Sequence, residues 1–283
     1  MRLLIYNIRY GAGIGRQFHF PFPYSGYLKP VNGNFEKIVQ YIKTVNPDIV
    51  GLLETDFGSY RVEYRNQAER IAGELNHTAV YQSKYHSDSL ISHVPLLNKQ
   101  GNAVLTGRPP KRTKFHFLQD GVKRLLIQAD LADCTLFLVH LSLKRQHRRS
   151  QLKELQSLVA SCTRPVIVAG DFNAMRGPQE LSQFLDATGL ISANTEGAAS
   201  WPSRVPVLEL DYIFHSPCIQ SQQFHIPRIL LSDHKPLVWD FTINRRRRMI
   251  PDRPPFKMTP LPPAGLGLNR TQAVAAWERL QRS

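Results

Sequence analysis

Apolar positions along this chain fall into short strand-like runs separated by helical periodicities. Arg2–Ile8 reads as a strand entering directly from Met1. Asn34 looks like an N-cap, and Phe35, Ile38, Val39, Ile42 and Val45 follow at helical spacing until Pro47 ends the helix. Asp48–Leu53 (DIVGLL) is a buried-strand pattern that delivers Glu54. A second helix is expected over Arg61–Asn76. Strands are expected near Thr78–Gln82, Asn102–Thr106, Thr113–Phe117, Arg124–Leu131 and Thr135–Leu141. Gln146–Ser161 is helical, with Leu152, Leu155, Leu158 and Val159 on one face. Pro165–Ala169 is a strand, Gln179–Thr188 a helix, and Leu210–Phe214 and Pro236–Ile243 are strands. Strands outnumber helices, and helices separate only some of them. The pattern predicts an α/β layered sandwich of mixed sheets covered by helices.

Two segments break the pattern. Gly11–Gly33 is long and irregular and holds Phe18, Phe20, Phe22, Tyr24 and Tyr27. A loop of that length in a compact domain is often functional, and its rings could line a pocket, touch lipid or cover the core edge. After Ile243 comes a run of four arginines, Arg245–Arg248, and six of the next fifteen residues are proline. A short amphipathic helix, Thr271–Gln281, closes the chain. We therefore divide the chain into a folded domain over 1–243 and a basic, Pro-rich tail over 244–283 with a terminal docking helix.

With 283 residues and 42% hydrophobic content, the chain suits one large domain. No apolar run reaches the roughly 18 residues of a membrane span, and no secretory signal pattern is visible at the start. The expectation is a cytoplasmic protein. Cys134, Cys162 and Cys218 match no metal or redox spacing and read as buried free thiols. The net charge is +14, of which the tail carries +7. A basic balance suits polyanionic partners, whether nucleic acid, anionic lipid or phosphorylated small molecules. The clusters Arg108–Lys114 and Lys144–Arg149, the latter directly after the His140 strand, favour nucleic acid. The aromatic loop and Trp277 support the lipid alternative.

Polar residues sit where apolar strands end. Asn7 follows LLIY, Glu54 follows DIVGLL, His140 follows TLFLV, and Asp171 and Asn173 follow PVIVAG. Asp211 follows VLEL, and Asp233 and His234 precede KPLVWDF. Each alone fits turn chemistry or a satisfied structural residue. Together they make the inventory that holds a divalent cation, aims a water and stabilises a phosphate.

The strings YNIRYG, DIVGLLET, GNAVLTGRP, LVHLSL, VAGDFNA, ELDYIF and SDHKPLV, in this order, resemble the endonuclease/exonuclease/phosphatase superfamily over about residues 1–243. Its members include deoxyribonucleases, abasic-site endonucleases, neutral sphingomyelinases and inositol-polyphosphate phosphatases. The resemblance implies a four-layer α/β/β/α sandwich with two packed mixed sheets. It also implies Mg²⁺-dependent phosphoester hydrolysis, with Mn²⁺ as a substitute. Position by position, Glu54 matches the main metal ligand, and Asn7 and Asp233 match groups that complete the metal shell. Asp171 matches the residue that orients or deprotonates water, Asn173 a phosphate-oxygen contact, His234 the essential histidine and Asp211 its carboxylate partner. His140 matches a histidine that donates to the phosphate or leaving group. Arg9, Asn173 and Arg145 are expected to bind substrate. Arg9 stands where abasic-site endonucleases usually carry an acidic residue, which argues against abasic repair. Glu63 and Glu69 are candidates, by neighbourhood only, for a carboxylate partner of His140. The favoured reading is a phosphodiesterase or nuclease. The alternatives are a lipid or small-molecule phosphoesterase and a non-catalytic binding protein on the same fold.

Overall fold

A computed structural model describes residues 1–14, 28–84, 97–121 and 123–243. The aromatic loop over Phe18–Tyr27 and the tail after Ile243 lie outside the described residues.

The chain runs β1 (Arg2–Asn7), α1 (Asn32–Val45), β2 (Ile49–Asp56), α2 (Gln67–Leu75), β3 (Thr78–Ser83), β4 (Gln100–Thr106) and β5 (Arg112–Phe117). It continues through β6 (Leu125–Asp130), β7 (Thr135–His140), α3 (Arg145–Ala160), β8 (Val166–Asp171), α4 (Ser182–Thr188), β9 (Ile191–Ser192), β10 (Asp211–His215), β11 (Ile219–His225) and β12 (Leu237–Ile243). The strands form two six-stranded sheets, in the orders β11-β12-β1-β2-β4-β3 and β5-β6-β7-β8-β10-β9. Each sheet has one parallel pair, β1 with β2 and β7 with β8, inside otherwise antiparallel pairing.

Alternation along the strands assigns the faces. Leu3 and Ile5 of β1, Leu136 and Leu138 of β7 and Ile167 and Ala169 of β8 enter one buried cluster between the sheets. Their neighbours face outward. Leu4 and Tyr6 pack under Phe35, Ile38, Val39 and Ile42 of α1. Phe137, Val139 and Val168 pack under Leu152, Leu155 and Val159 of α3 and Phe184 of α4. Both faces of both sheets are thus covered, which makes the chain a four-layer sandwich. The sheets meet closely at Gly51, where an added Cβ would lie 2.6 Å from Ile5 Cδ1 and 2.7 Å from Leu138 Cδ1.

Helix starts differ from expectation. α1 begins at Asn32 rather than after Asn34, because the Asn34 amide donates to the carbonyls of Gly11 and Leu231, each at 2.9 Å. α2 begins at Gln67 rather than Arg61. The Asn66 side chain caps it, accepting from Ala68 N at 2.9 Å and Glu69 N at 3.3 Å. Arg61 instead sits in a 3-10 turn, fully buried, with Nη2 donating to Asp56 Oδ2 at 2.7 Å. The expected Gln179–Thr188 helix is divided into a 3-10 turn, Pro178–Leu181, and α4. All three cysteines are free, but only Cys134 is fully buried.

Candidate active site

Side-chain parity and one backbone irregularity bring the site together. Asn7, His140 and Asp171 each lie at the last position of a strand, two residues beyond an inward-facing core residue. Asp211 opens antiparallel β10 at the same end. His140 pairs in register with Asp171, and Asp171 with Asp211. Three neighbouring strands therefore present a histidine and two carboxylates side by side, facing the other sheet. Glu54 has the wrong parity for that side. The pairing of β2 with β4 shifts between Leu52 and Thr55, and Glu54 has φ +52°. This bulge re-aims the carboxylate into the cleft.

The backbone of GDFNA is equally special. Gly170 has φ +140°, and a Cβ there would lie 1.9 Å from Val139 O. Asn173 has φ +51°. Its backbone N–H donates to Asp171 Oδ1 at 2.9 Å, and its amide donates to Leu141 O at 2.9 Å. The DFN turn thus locks the Asp171 carboxylate from behind.

His140 Nε2 lies 3.2 Å from Asp171 Oδ2 and 3.9 Å from Glu54 Oε1. His234 Nε2 lies 3.9 Å from the same Asp171 oxygen, while its Nδ1 bonds Asp211 Oδ2 at 2.7 Å. Ser200 Oγ donates to that Asp211 oxygen at 2.6 Å. The Asn7 amide donates to Asp171 Oδ2 at 3.4 Å, and Asn7 Oδ1 accepts from Arg9 N at 3.1 Å. Arg9 Nε is 3.5 Å from Asp233 Oδ2. Asp171 is therefore the hub, buried among two imidazoles and an amide.

Burial pushes the His234 imidazole down, but Asp211 and Asp171 overrule it and raise it to about 10. His234 is a cation at neutral pH. Burial raises the Asp211 carboxyl, with the His234 charge opposing that rise. Burial would also raise Asp171. His140, His234 and Lys123 outweigh it and hold the carboxyl well below its usual range. His140 is lowered by burial and by Lys123, against the pull of Asp171, so it is neutral. Glu54 is raised by burial but drawn down to about 2 by Lys123, His140 and Lys84. The site thus holds one charged and one neutral histidine around an ionised Asp171.

Lys123 and Lys84 were not singled out by the sequence. The Lys123 ammonium lies against His140 Nε2 and 3.4 Å from Glu54 Oε1. Lys84 lines the same cleft with Tyr10, Gly101, Asn102 and Leu125. Lys84 follows an unremarkable strand, and Lys123 sits in a turn before β6. Neither position carries a motif. Ser200 was missed for the same reason: it holds Asp211 from a loop eleven residues upstream. A buried support also escaped notice. Asp56 accepts from Gly58 N, Ser59 N, Ser59 Oγ and Arg61, and Gln67 bridges Asp56 N to Tyr10 O.

Arg145 is not brought into this cleft. It is exposed at the start of α3, lines a groove against α4, and has Nε 3.7 Å from Glu180 Oε2. The buried member of that cluster is Arg148, paired with Glu180 at 2.6 Å. The Arg108–Lys114 cluster lies at the other end of the sheet, since Arg112 pairs with Asp130 and Asp130 with Thr135, the strand start opposite His140. Glu69 accepts from the Tyr81 hydroxyl at 2.5 Å, and Glu63 sits in the turn after the Tyr60–Val62 helix. The carboxylates that His140 meets are Asp171 and Glu54.

The sequence profile of the endonuclease/exonuclease/phosphatase family matches residues 4–234. The chain belongs to this family. Members of the endonuclease/exonuclease/phosphatase family are usually phosphoester hydrolases that use divalent metals. The fold is shared with solved structures at low identity. A family protein from Bacteroides thetaiotaomicron aligns with TM-score 0.67 and 13% identity, covering 88% of this chain and 97% of that one. A mannosyl-6-phosphatase from the same organism aligns with TM-score 0.64 and 14% identity, covering 86% and 100%. The human Nocturnin catalytic domain with bound sulfate aligns with TM-score 0.60 and 18% identity, covering 86% and 94%. No curated protein matches the sequence.

Among the described residues, Asp171, Asp211 and His234 place possible ligand atoms within 4.8 Å of one another. The Nδ1 bond to Asp211 instead makes His234 and Asp211 a charged pair. The oxygens of Glu54, Asn7 and Asp233 suit a hard divalent cation better. Glu54 already faces a cation in Lys123. The chemistry of these oxygens fits a hard divalent metal. No helix among the described residues is long and apolar enough to cross a membrane.

Proposed function

We propose that this family member is a Mg²⁺-dependent phosphodiester hydrolase, acting on nucleotide-type substrates by attack of water on phosphorus. One observation carries the reading: an ionised Asp171 sits between a neutral His140 and a charged His234, all within about 4 Å, at the rim of two packed sheets. Asp171, with an acceptor oxygen fixed by the Asn173 N–H, orients the attacking water. His234, charged and held by Asp211, presents Nε2 to a non-bridging oxygen, whose charge grows in the transition state. Neutral His140 holds the Lys123 ammonium against its Nε2, and that ammonium can pass a proton to the leaving oxygen. Held by Glu54, Asn7 and Asp233, a divalent cation would polarise a phosphoryl oxygen. Arg9, beside Asp233, is placed to contact the substrate.

Nucleotide-type substrates are favoured by the basic balance of the chain. The lipid alternative rests on segments outside the described residues. The test is hydrolysis of single- and double-stranded DNA, RNA, sphingomyelin vesicles, phosphoinositides and bis-p-nitrophenyl phosphate, with Mg²⁺ or EDTA, by wild type and Asp171→Asn. Mg²⁺-dependent cleavage of a nucleotide substrate that the variant loses supports the reading. Cleavage confined to lipid, or full activity in the variant, overturns it.

A further inference from the structure

We propose that the 200–203 turn positions His234 for the reaction, and that Ser200 is its working residue, fixing the Asp211 carboxylate so that one chosen oxygen faces the imidazole. The inference rests on the hydrolase reading above and adds positioning residues to it. Ser200 is fully buried. Its Oγ donates at 2.6 Å to Asp211 Oδ2, the same oxygen that His234 Nδ1 meets at 2.7 Å. That Oγ also accepts from the backbone N–H of Leu210 at 3.3 Å and of Asp211 at 3.2 Å. A hydroxyl has one proton and two lone pairs, and all three are engaged at the start of β10. The backbone of the turn grips the histidine segment as well. Ser200 O accepts from Lys235 N at 2.9 Å, and Ser203 N donates to Asp233 O at 2.7 Å. His234 is therefore bracketed by a backbone bond on each neighbouring residue, with the Trp201 ring 6.4 Å from its own.

An aspartate carboxylate turns easily about its last torsion. Among the described residues, Asp211 Oδ1 is buried without a hydrogen-bond partner. The carboxylate is thus held through Oδ2, by Ser200 Oγ and His234 Nδ1. Of these two donors, Ser200 is anchored independently of the imidazole, because its oxygen is tied to the amides that begin β10. Without the hydroxyl, Asp211 keeps its charge but loses its fixed reference, and its orphan oxygen can swing toward the imidazole. A serine in an ordinary turn bonds back to a nearby backbone group. This one instead gives its single proton to a carboxylate, in a short, charge-assisted bond. The turn is also rigid enough to act as a frame. Trp201 and Leu208 exchange backbone bonds in both directions at 3.0 and 2.9 Å, and with Leu210 they form a small buried cluster. Outer partners of this kind orient an imidazole without touching substrate, and their loss typically costs about ten- to hundredfold in activity.

The experiment pairs a spectroscopic readout with turnover. NMR of protein carrying ¹⁵N-labelled histidine follows the His234 Nδ1–H proton in wild type, Ser200→Ala, Ser200→Thr and Ser200→Cys. Hydrolysis of bis-p-nitrophenyl phosphate with Mg²⁺ gives kcat and KM for the same four proteins, and thermal melts show that each is folded. We expect a persistent downfield Nδ1–H resonance in wild type that broadens or exchanges with solvent in Ser200→Ala. In that variant kcat should fall about ten- to hundredfold while KM stays within about twofold. Ser200→Thr keeps the hydroxyl and should retain both the resonance and the rate. Ser200→Cys keeps a weak donor in nearly the same shape and should show the same losses in smaller degree. It decides the matter if Ser200→Ala does not melt cooperatively. A wild-type resonance and a wild-type kcat in folded Ser200→Ala, or in Ser200→Cys where the alanine variant does not fold, would overturn the proposal. A resonance lost in Ser200→Ala, in a wild-type protein that hydrolyses no phosphoester, would sink the hydrolase reading and leave the positioning role standing. Mg²⁺-dependent turnover with neither resonance nor kcat moved by the substitution would do the reverse.

Discussion

Gly170→Ala tests how tightly the fold holds the Asp171 hub. The added Cβ would lie 1.9 Å from Val139 O and 2.9 Å from Val139 C, both backbone atoms of the adjoining parallel strand. A side chain cannot rotate away from that contact, since the atom is the Cβ itself. Real Cβ contacts stay beyond 3.0 Å, so β8 must retreat from β7 by roughly 1 Å. The backbone at φ +140° adds strain for any residue with a Cβ. Strain of about 1–3 kcal/mol and overpacking of similar size place the total near 4 kcal/mol. For a domain of this size that lowers Tm by about 8–16 °C. The same retreat moves Asp171, the next residue, away from His140, with which it pairs in register at 3.2 Å. A misplacement of that order costs about a hundredfold in rate. Thermal melts followed by circular dichroism and turnover below the lowered Tm measure both effects. A Tm within 2 °C of wild type together with an undiminished rate would refute this account of the GDFNA turn.

Four further outcomes follow from the same geometry. Asp211→Asn removes the charge that most raises His234, so the imidazole pKa, followed by NMR, should fall well below its value of about 10; the charged form is the one present below the pKa, so the high-pH limit of activity should move down with it, and an unmoved resonance would contradict the pairing. Arg61→Met leaves the Asp56 carboxylate buried without its guanidinium partner and should destabilise the fold by about 3–5 kcal/mol in urea unfolding. Asp171→Asn should lower kcat by at least about a hundredfold in a chain that still melts cooperatively. Glu54→Ala should raise the Mg²⁺ concentration needed for half-maximal rate more than it changes KM, and an unchanged metal dependence would remove Glu54 from the metal shell.

Much of the architecture was legible because both sheets are buried on both faces. Strands such as DIVGLL and PVIVAG read as continuous apolar runs, and the ends of those runs carry the site. β11 was not visible, since IQSQQFH is an edge strand whose middle residues are exposed and polar. β9 has only two residues. The start of α2 was misplaced because Arg61 looks like a helical surface residue, while its guanidinium is sunk onto Asp56. At the site, residues at strand ends were legible from their motifs, but those supplied by turns were not. Lys123, Lys84 and Ser200 come from segments without a pattern and reach the cleft only through folding. Glu54 shows the limit of parity: strand alternation alone turns it away from the cleft, and only the bulge and its positive φ return it. The basic clusters misled in another way. Charge runs are visible in sequence, but pairing register puts Arg108–Lys114 at the far end of the sheet.

The central claim is that water, oriented at Asp171 and met by the charged His234, attacks phosphorus in this cleft. Hydrolysis of bis-p-nitrophenyl phosphate with Mg²⁺ in ¹⁸O-labelled water, followed by mass spectrometry of both products, tests it most directly. The account predicts the label in p-nitrophenyl phosphate and none in p-nitrophenol, with turnover lost in His234→Ala. Label in the phenol, or undiminished turnover by His234→Ala, would contradict it.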